Sequence, residues 1–332
     1  MPRSAELVVL GLDDLDRWRQ DAGSGLDWSG LFAQPFWLRA WWESCGAGAT
    51  PLCWGIRQGN QLLGLVALQR RGAVAAFAGS PDLCDYQDAV LVPGQEGSFC
   101  RALLGICRDQ GLRALDFRGL RPDARLLAGL RLAAGETGWQ LAVTAGEASW
   151  EIPLPGSWAA YLEGLASRDR HELRRKLRRL EAAGGFAYRQ SSGPAVTDAE
   201  IASFLPLFVA SRPDKAAFLT PARQAFFQAI LAGGRQDGCL LMGWLERLGR
   251  PVAATLGFEL SGTSYLYNNG YDPAYRDLSL GFVSKALAIR TSLERGMARY
   301  DLLKGSEPYK RRLGGRPVPL VRCRLTASSA RR

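Results

Sequence analysis

Short apolar runs of strand length alternate with longer helix-like stretches through the whole chain. In the first half, LCWGIR and QLLGLVALQ flank a Gln-Gly-Asn turn and predict a hairpin, and AVAAFAG predicts a further strand. A helix near Gly97–Gln110, the strand LRALDFRG, a helix near Asp123–Gly135 and the strand GWQLAVT follow. This alternation predicts an α/β (α+β) fold.

The second half repeats this order of elements. FAYRQS is followed by predicted helices over about Asp198–Ser211 and Pro221–Ala232, and then by the strands GCLLMGWLE, PVAATLGFEL and TSYLYNN. A helix over about Ser279–Arg295 and the strand ARYDLLKG complete the pattern. Each half has a hairpin or meander, then a helix, then a similar strand, which suggests a structural duplication.

A boundary between two domains is predicted near ASWEIPLPGSW, where two prolines and a glycine interrupt the pattern. At 332 residues the chain is long enough for two compact units. We therefore expect an N-terminal domain over residues 1–150 and a C-terminal domain over residues 151–332.

Composition indicates a globular protein with an anionic partner. Apolar residues make up 47% of the chain, and 42 Lys and Arg against 32 Asp and Glu give a net charge of +10. This charge favours a phosphorylated ligand, a nucleic acid or an acidic membrane surface. No apolar run approaches the ~20 residues that span a bilayer, and the first apolar run is too short for an export signal, so we expect a cytoplasmic protein.

Seven cysteines without a CxxC pair suit a reducing compartment. His171 is the single histidine, so a metal site or a Cys-His or Ser-His couple has little support, and we expect no metal. An enzyme with this composition is expected to orient its reactants rather than to supply a covalent nucleophile.

A strongly basic helix is predicted from Ser167, where the sequence reads SRDRHELRRKLRRLEAAGG. Leu173, Leu177 and Leu180 form an apolar seam at helical spacing, and arginines cover the remaining surface. The helix is either a solvated helix docked by its leucines, or its arginines reach phosphates of a ligand or an anionic lipid surface. For the second case the candidate anion-binding residues are Arg168, Arg174 and Arg175.

The stretch YNNGYDPAYRDLSLGFVSKAL, Tyr267–Leu287, joins a predicted strand to a predicted helix. Free N–H groups at the helix start and the helix dipole favour an anion, and Gly281 would let a phosphate approach closely. Ser279 could instead serve only as the helix N-cap.

This junction resembles a known family. RDLSLG, Arg276–Gly281, is similar to the Gln/Arg-x-x-Gly-x-Gly/Ala loop with which GNAT acyltransferases hold the pyrophosphate of coenzyme A, with serine at the first glycine. The wider sequence resembles the Fem-like, CelD-type branch, whose pattern has a Tyr-rich strand, Asp-x-x-Tyr, Ser-Pro-Gly and a closing Tyr-Asp-Phe-Leu-x-Gly-x-Glu-x-Tyr-Lys. Leu280 replaces the proline. The closing element is matched by Tyr300, Asp301, Gly305, Glu307, Tyr309 and Lys310.

The resemblance extends to the basic helix and to FAQPFWLRAWWESCG, and so covers most of the chain. It implies two tandem GNAT-like domains, each a mixed, mostly antiparallel sheet flanked by helices, with acyl-CoA held by the second. Asp85, Tyr86 and Asp88 of the first domain would help to line the cleft between the domains. The implied donor-binding residues are Tyr267, Asn268, Arg276, Ser279, Leu280, Gly281, Phe282 and Lys310.

The resemblance also implies an N-acyltransferase in which an amine attacks the acyl carbonyl directly. Glu307 or Asp272 is the candidate base, and Tyr271 or Tyr275 the candidate acid. The tyrosines could instead pack at the rim of the cleft, and Glu307 could form a salt bridge to Lys310 or Arg311.

The acceptor is expected to be a lipid long-chain base, as in bacterial ceramide synthesis, or an amino sugar or amino acid. Phe218, Phe226 and Phe227 would line an apolar channel for a fatty chain, or they are ordinary core residues. A lipid acceptor would place the protein at the inner face of the membrane. The alternatives are a Fem-type transferase that uses aminoacyl-tRNA and a non-catalytic GNAT-fold binding protein.

Overall fold

The computed structural model describes residues 5–328 and divides them into two compact units. The first unit contains the described residues up to Ala148 together with those from Val318 onward, and the second is Ser149–Pro317. The strand Trp139–Pro153 carries the chain from the first unit into the second, and the strand Arg316–Ala327 carries it back. The prolines near the predicted boundary therefore end a strand that both units share, and residues from Val318 lie outside the unit in which the sequence had placed them.

The secondary structure follows the predicted alternation. The strands are β1 (Ala5–Val9), β2 (Thr50–Gln58), β3 (Gln61–Arg71), β4 (Val74–Phe77), β5 (Val90–Leu91), β6 (Ala114–Leu120), β7 (Trp139–Pro153), β8 (Phe186–Ser192), β9 (Leu240–Arg247), β10 (Arg250–Leu260), β11 (Thr263–Tyr271), β12 (Arg299–Lys304) and β13 (Arg316–Ala327). The helices are α1 (Leu12–Gln20), α2 (Pro35–Cys45), α3 (Glu96–Asp109), α4 (Arg125–Ala133), α5 (Trp158–Gly164), α6 (Ser167–Ala183), α7 (Asp198–Ser211), α8 (Pro213–Phe218), α9 (Pro221–Gln236), α10 (Leu280–Glu294) and α11 (Pro308–Arg312).

In the first unit the strands lie in the order β1-β2-β3-β4-β6-β13-β7, and β5 pairs with β3. The predicted hairpin is confirmed as the antiparallel pair β2–β3. The meander continues into β4, and β6 then pairs with β4 in parallel after the helix α3. Apolar side chains of α3 and α4, including Phe99, Leu103 and Leu127, pack against this sheet and form its core.

The second unit repeats this topology. Its strands lie in the order β7-β12-β11-β10-β9-β8, with β8 to β11 forming an antiparallel meander. The chain then passes through α10 and returns as β12, which pairs with β11 in parallel. Two clusters of buried side chains hold α10 and α6 on the sheet, with Leu173 and Leu180 of α6 buried as the leucine seam predicts. Each unit is thus a mixed, mostly antiparallel sheet flanked by helices, which confirms the predicted fold.

The parallel strands β11 and β12 separate after a short region of pairing. Their pairing covers Thr263–Tyr265 of β11 and Arg299–Asp301 of β12. Both strands contain an irregularity directly beyond it: on β11 the register against β10 shifts around Tyr267, and on β12 the register against β7 shifts around Leu302. An extra residue bends a strand and increases its local twist, so the two strands diverge from this point.

The irregularity in β12 is stabilised by a buried carboxylate. Leu303 has a φ of 60°, a left-handed conformation that is unfavourable for a side chain of this size. Its N–H donates to Oδ1 of the buried Asp301 over 2.8 Å, and the Ser149 hydroxyl lies 3.4 Å from the same oxygen. The aspartate of the Tyr-Asp-Leu-Leu-Lys-Gly sequence therefore maintains the bend that separates the strands.

Replacing this aspartate tests the role of the bend. We expect Asp301→Ala to lower the free energy of unfolding by about 1–3 kcal/mol, because the buried Leu303 N–H loses its acceptor. Asp301→Asn, which keeps an oxygen at that position, should lose clearly less. Urea denaturation of the two variants beside the wild type measures the difference, and equal losses would contradict the assigned hydrogen bond.

Candidate active site

The open edge of β11 presents backbone groups to the space between the separated strands. The Asp272 N–H donates to the Val252 carbonyl over 2.8 Å, which sets the alternation of hydrogen bonds along the β10–β11 pair. Residues of an antiparallel strand direct their N–H and C=O alternately toward and away from the neighbour, so Asn269 and Tyr271 direct theirs away from β10. The Lys215 ammonium donates to the Asn269 carbonyl, in agreement with this orientation.

The predicted donor-binding residues of β11 lie at this bend. Tyr267 is at the register shift, and its ring packs on the rings of Phe227 and Phe258 at centroid distances of 5.7 and 6.2 Å. Asn268 is half-buried and pairs with Leu256 across the strands. The tyrosine ring thus packs the bend of β11 against the core. The edge of the strand then presents its backbone groups.

Ser279 is the residue before the first turn of α10 and has a φ of 54°, in the left-handed region. Glycine adopts this region freely, which explains the glycine usual at this place in the loop that the sequence resembles. No side-chain cap is formed by Ser279; its hydroxyl accepts a hydrogen bond of 2.6 Å from the Lys176 ammonium of α6. The first N–H groups of a helix have no intrahelical acceptor, so those of Leu280 and Gly281 are available to a ligand.

Gly281 lies against an aromatic ring. A Cβ atom at this position would lie 2.7 Å from the ring of Tyr271, so the glycine is needed for contact with this ring. The close approach of a phosphate to Gly281 stays a prediction. Tyr271 is in this way placed beside the first turn of α10.

Basic and aromatic side chains surround the start of α10. The Lys176 ammonium and the Arg312 guanidinium lie 5.8 and 5.4 Å from the centroid of the Phe282 ring. Arg276 is exposed in the short helical turn Pro273–Leu278 that precedes α10. The N-terminal end of α10 therefore combines helix amides with nearby cations, an arrangement that suits a phosphate group.

The basic helix α6 contributes one lysine to this region. Arg175 forms a bidentate pair with Glu172, at 2.8 and 2.9 Å, and this pair lowers the pKa of Glu172 to about 2. Arg168 and Arg174 are exposed on α6. The cation of α6 that contacts Ser279 is Lys176. The candidate anion-binding residues predicted on this helix were arginines, and Lys176 was not among them.

The candidate acids and bases differ in how far they are already engaged. Asp272 accepts from the Ala274 N–H over 2.9 Å and caps the following turn. Glu307 is half-exposed and lies 3.2 Å from the Lys310 ammonium, the salt bridge that the sequence analysis had kept as the simpler role. Tyr275 packs on Phe186 and beneath the Arg247 guanidinium, as expected for a rim residue.

Three lysine ammonium groups are enclosed beside the separated strands. Lys310 is buried and donates to the carbonyls of Leu303, over 3.0 Å, and Lys304. Lys285 is buried in α10, donates to the Gly281 carbonyl over 2.6 Å and lies 4.4 Å from the centroid of the Tyr309 ring. Burial, reinforced by neighbouring cations, lowers the pKa of Lys285 to about 7 and that of Lys215 to about 8.

In the first unit, the corresponding space between β4 and β6 is crossed by the chain itself. The Gln87 N–H donates to the Gly119 carbonyl over 3.2 Å, and the Gln87 side-chain amide donates to the Ala78 carbonyl over 2.7 Å. Gln87 thereby bridges the ends of the two parallel strands. The segment CDYQDAV fills this place in the first unit.

The three predicted cleft residues of this segment have structural contacts. Both carboxylate oxygens of Asp88 accept N–H groups at the start of α4, from Arg125 over 2.7 Å and Leu126 over 3.0 Å. Burial nevertheless raises the pKa of Asp88 to about 6. Tyr86 is buried against Phe32, and the Asp85 backbone lies against Gly119. These contacts assign them to the packing of the first unit instead of to a substrate.

Phe226 and Phe227 are fully buried and belong to the core, so they do not line an open channel. Phe218 is half-buried under the Arg223 guanidinium. An open apolar groove exists elsewhere in the second unit, between α7 and α9. Its lining includes Ile201, Leu205, Val209, Leu219 and Leu231.

Within residues 5–328, no cluster of three or more His, Cys, Asp or Glu side chains has a metal-binding arrangement. No helix in that same range is long and apolar enough to cross a membrane. All seven cysteines are free, and all but Cys45 are buried.

Comparison with protein families identifies the second unit. Residues 167–311 match the acetyltransferase (GNAT) domain, a range that includes α6, the separated strands and the start of α10. This match covers less than half of the chain, so it shows that the second unit is similar to GNAT acetyltransferase domains, and the solved structures below share the fold. No curated protein matches the sequence.

Three solved structures illustrate the shared fold. FemX aligns with a TM-score of 0.64 at 12% identity over 96% of each chain. The C-terminal domain of a putative lysylphosphatidylglycerol synthetase from Agrobacterium fabrum gives 0.54 at 12% identity, covering 81% of this chain and 82% of that one. A tandem GNAT protein from the clavulanic acid biosynthesis pathway gives 0.50 at 13% identity over 98% of this chain and 100% of its own. At such low identity these relatives establish the fold alone.

Substitutions at Ser279 separate backbone strain from the hydrogen bond with Lys176. Ser279→Ala keeps the left-handed backbone and loses the hydrogen bond, so we expect a loss of about 1–2 kcal/mol in the free energy of unfolding. Ser279→Gly loses the same bond but relieves a left-handed conformation that costs a residue with a side chain roughly 1 kcal/mol. The glycine variant should therefore be the more stable of the two in urea denaturation, and the reverse order would contradict the strained conformation.

The buried lysines also predict a dependence of stability on pH. The pKa of Lys285 falls from its ordinary value of 10.5 to about 7 on folding, so between these values the folded chain binds fewer protons than the unfolded chain. The free energy of unfolding should then rise with pH through this window, by at most about 1.4 kcal/mol per pH unit for one lysine. Urea denaturation between pH 6.5 and 9.5 should show a smaller slope for Lys285→Met than for the wild type. Identical slopes would mean that Lys285 is not desolvated.

Proposed function

We propose that the protein transfers an acyl group from acyl-CoA to an amine, with the donor held in the second unit. The observation that carries this proposal is the separation of β11 and β12 beyond Tyr265 and Asp301, which leaves backbone groups of β11 without a strand partner on that edge. An extended pantetheine arm fits such an edge, because it can form the hydrogen bonds that a further strand would form.

The start of α10 is the proposed site of the donor pyrophosphate. The N–H groups of Leu280 and Gly281 would donate to phosphate oxygens, and Arg276, Lys176 and Arg312 would supply positive charge. Arg276, Leu280 and Gly281 follow β11 directly in sequence, and Lys176 and Arg312 approach the same end of α10 from α6 and α11. A donor with its phosphates at α10 could therefore extend its arm along β11.

The choice of the second unit rests on the contrast with the first. There Gln87 joins the ends of β4 and β6 through hydrogen bonds to the Gly119 and Ala78 carbonyls. A ligand could enter between those strands only by displacing this segment and its buried neighbours. The first unit is accordingly assigned a supporting role.

The proposed chemistry is direct attack. The acceptor nitrogen attacks the thioester carbonyl carbon, the C–N bond forms, and the C–S bond breaks as the thiolate leaves. Backbone N–H groups on the open edge of β11, such as that of Asn269, would stabilise the oxyanion. Glu307 is the proposed base for the amine proton, since Asp272 caps its own turn, and Tyr271, whose ring lies against Gly281, is the proposed acid for the thiolate.

Among amine acceptors, the structure supports a polar molecule over a lipid long-chain base. Two of the three phenylalanines expected to line a fatty-acyl channel, Phe226 and Phe227, are core residues. The remaining support for a lipid and a membrane surface is the apolar groove between α7 and α9, the exposed charge of α6, and one structural relative named as a putative lysylphosphatidylglycerol synthetase. The amino sugar and amino acid classes are therefore preferred here.

Direct titration tests donor binding. Isothermal titration with acyl-CoAs of several chain lengths should detect binding to the wild type. Lys176→Met should weaken it roughly 10-fold, the effect of losing one charge-assisted contact. Arg174→Met, which removes an exposed cation from the same helix, is the matched control and should bind like the wild type. The proposal fails if the wild type binds no acyl-CoA.

A Fem-type transfer from aminoacyl-tRNA is the second candidate, favoured by the similarity to FemX over 96% of both chains and by the basic helix α6. Binding of RNA through phosphates would weaken steeply with salt. Band-shift titrations with total tRNA at two salt concentrations decide this point, and an absence of binding at the lower one removes the candidate.

A further inference from the structure

Lysines from three separate helices converge beside the open strands of the second unit. Lys215 is on α8, Lys285 on α10 and Lys310 on α11. Lys215 donates to a carbonyl of β11 and Lys310 to carbonyls at the end of β12, and the Lys285 ammonium lies 4.4 Å from the centroid of the ring of Tyr309, the neighbour of Lys310. We refer to Lys215, Lys285 and Lys310 as the lysine cluster.

The lysine cluster has more positive charge than its surroundings neutralise. Arg212 is compensated by Asp214 in a bidentate pair at 2.9 and 2.8 Å. The half-exposed Glu307 pairs with Lys310. Its single negative charge then remains to balance three ammonium groups. Within the described chain neither Lys215 nor Lys285 forms an ion pair. Enclosed cations without counter-charges destabilise a fold, so their presence calls for an explanation beyond stability.

The ammonium groups are held in place but retain hydrogen-bonding capacity. Lys215 donates to a carbonyl of β11, Lys310 donates to two carbonyls of β12, and Lys285 donates to one carbonyl of its own helix. An ammonium group has three N–H donors. Lys215 and Lys285 can therefore each donate further hydrogen bonds to a ligand that enters between the strands.

We propose that the lysine cluster binds an oxyanion, a carboxylate or a phosphate, carried by the amine acceptor. This inference rests on the proposed function and narrows its acceptor to anionic amines such as amino acids or phosphorylated amino sugars. Lys215 and Lys310 contact the edges of the two separated strands, so an anion bound between them lies where the acceptor must reach the acyl carbonyl. A long-chain base without a carboxylate or phosphate offers no anionic group for this site.

The lysine cluster adjoins the phosphate site at the start of α10, where the Lys285 ammonium donates to the Gly281 carbonyl, but the two sites use different side-chain cations. Lys176 and Arg312 lie against Ser279 and Phe282, whereas the charges that act on Lys285 come from α8, α11 and the residues beside them. An anion could thus occupy the cluster while the donor pyrophosphate occupies the helix start. A substitution in one site should therefore weaken the anion that binds there and leave the affinity of the other site for its anion nearly unchanged.

Inorganic phosphate is the probe that tests the site. Calorimetric titration of phosphate into the wild type saturated with CoA should show binding, and Lys285→Met should weaken it at least 10-fold while changing the affinity for CoA less than 2-fold. Lys176→Met should give the opposite pattern, with CoA weakened and phosphate unchanged. The proposal is overturned if the CoA-saturated wild type binds no phosphate, or if Lys285→Met weakens CoA and phosphate alike.

Two further measurements test the proposal even if Lys285→Met does not fold or the wild type binds no CoA. Thermal unfolding monitors whether Lys285→Met is folded, and Lys215→Met, at a half-buried position on a short helix, carries the same test if it is not. If the wild type binds no CoA, the proposed function fails, while titration of the ligand-free protein with phosphate still decides whether the lysine cluster is an anion site.

The acceptor class is tested by release of free CoA thiol. Amino acids and phosphorylated amino sugars should support release of the CoA thiol from acyl-CoA. With the same amines lacking their carboxylate or phosphate as acceptors, the rate of release should be at least 10-fold lower. Lys285→Met should remove most of this preference. Equal rates for both members of each pair would assign the bound anion to a source other than the acceptor.

Discussion

The bend in β12 is the constraint on which the second unit depends. Asp301 accepts the Leu303 N–H, and the buried Lys310 ammonium donates to the Leu303 and Lys304 carbonyls and pairs with Glu307. The hydrogen bonds hold a leucine in a left-handed conformation two residues after Asp301, the last residue that pairs with β11. Without them β12 could continue its ladder with β11, and the strand edge proposed for the donor would be closed. A buried carboxylate and a buried ammonium are thus the elements that keep two parallel strands apart.

The duplicated topology shows how one arrangement of strands can serve two purposes. Both units place a strand in parallel beside the last strand of a meander after a helix. In the first unit the segment around Gln87 occupies the space between these strands and Asp88 caps the next helix. In the second unit the chain turns away from the strands through Pro273–Leu278 and enters α10. The two units thus differ in the path that the chain takes after the last strand of the meander, and this difference is the basis for placing the proposed donor in the second unit.

Much of the fold could be predicted from the sequence because periodicity reports burial. The meanders, α3, α7, α9 and α10 were located to within a few residues, and the leucine seam correctly oriented α6. The short helix α8 and the strand β13 were not predicted, since six residues give little periodic signal and a strand shared between units does not follow one repeat. The predicted boundary near residue 150 lies inside β7, close to the point between Ala148 and Ser149 where the chain passes from the first unit into the second.

The site was predicted less completely, for electrostatic reasons. Sequence patterns treat lysine as a surface residue, so Lys215 and Lys285 were not selected, although both are enclosed near the separated strands. Gly281 was predicted to admit a phosphate, and the structure adds a contact with a ring ten residues earlier in the chain that only folding brings to it. Asp85, Tyr86 and Asp88 were expected in a cleft because of the family resemblance, whereas their observed contacts lie within the first unit.

The contact between Lys176 and Ser279 has a consequence for how a ligand would be received. The loop before α10 is held by a side chain from another helix, so its conformation is set before any ligand arrives. A site that is already organised loses little conformational entropy on binding and needs no closing motion. Recognition there would then depend mainly on charge attraction and desolvation, and increasing ionic strength would weaken it by screening, not by unfolding the loop.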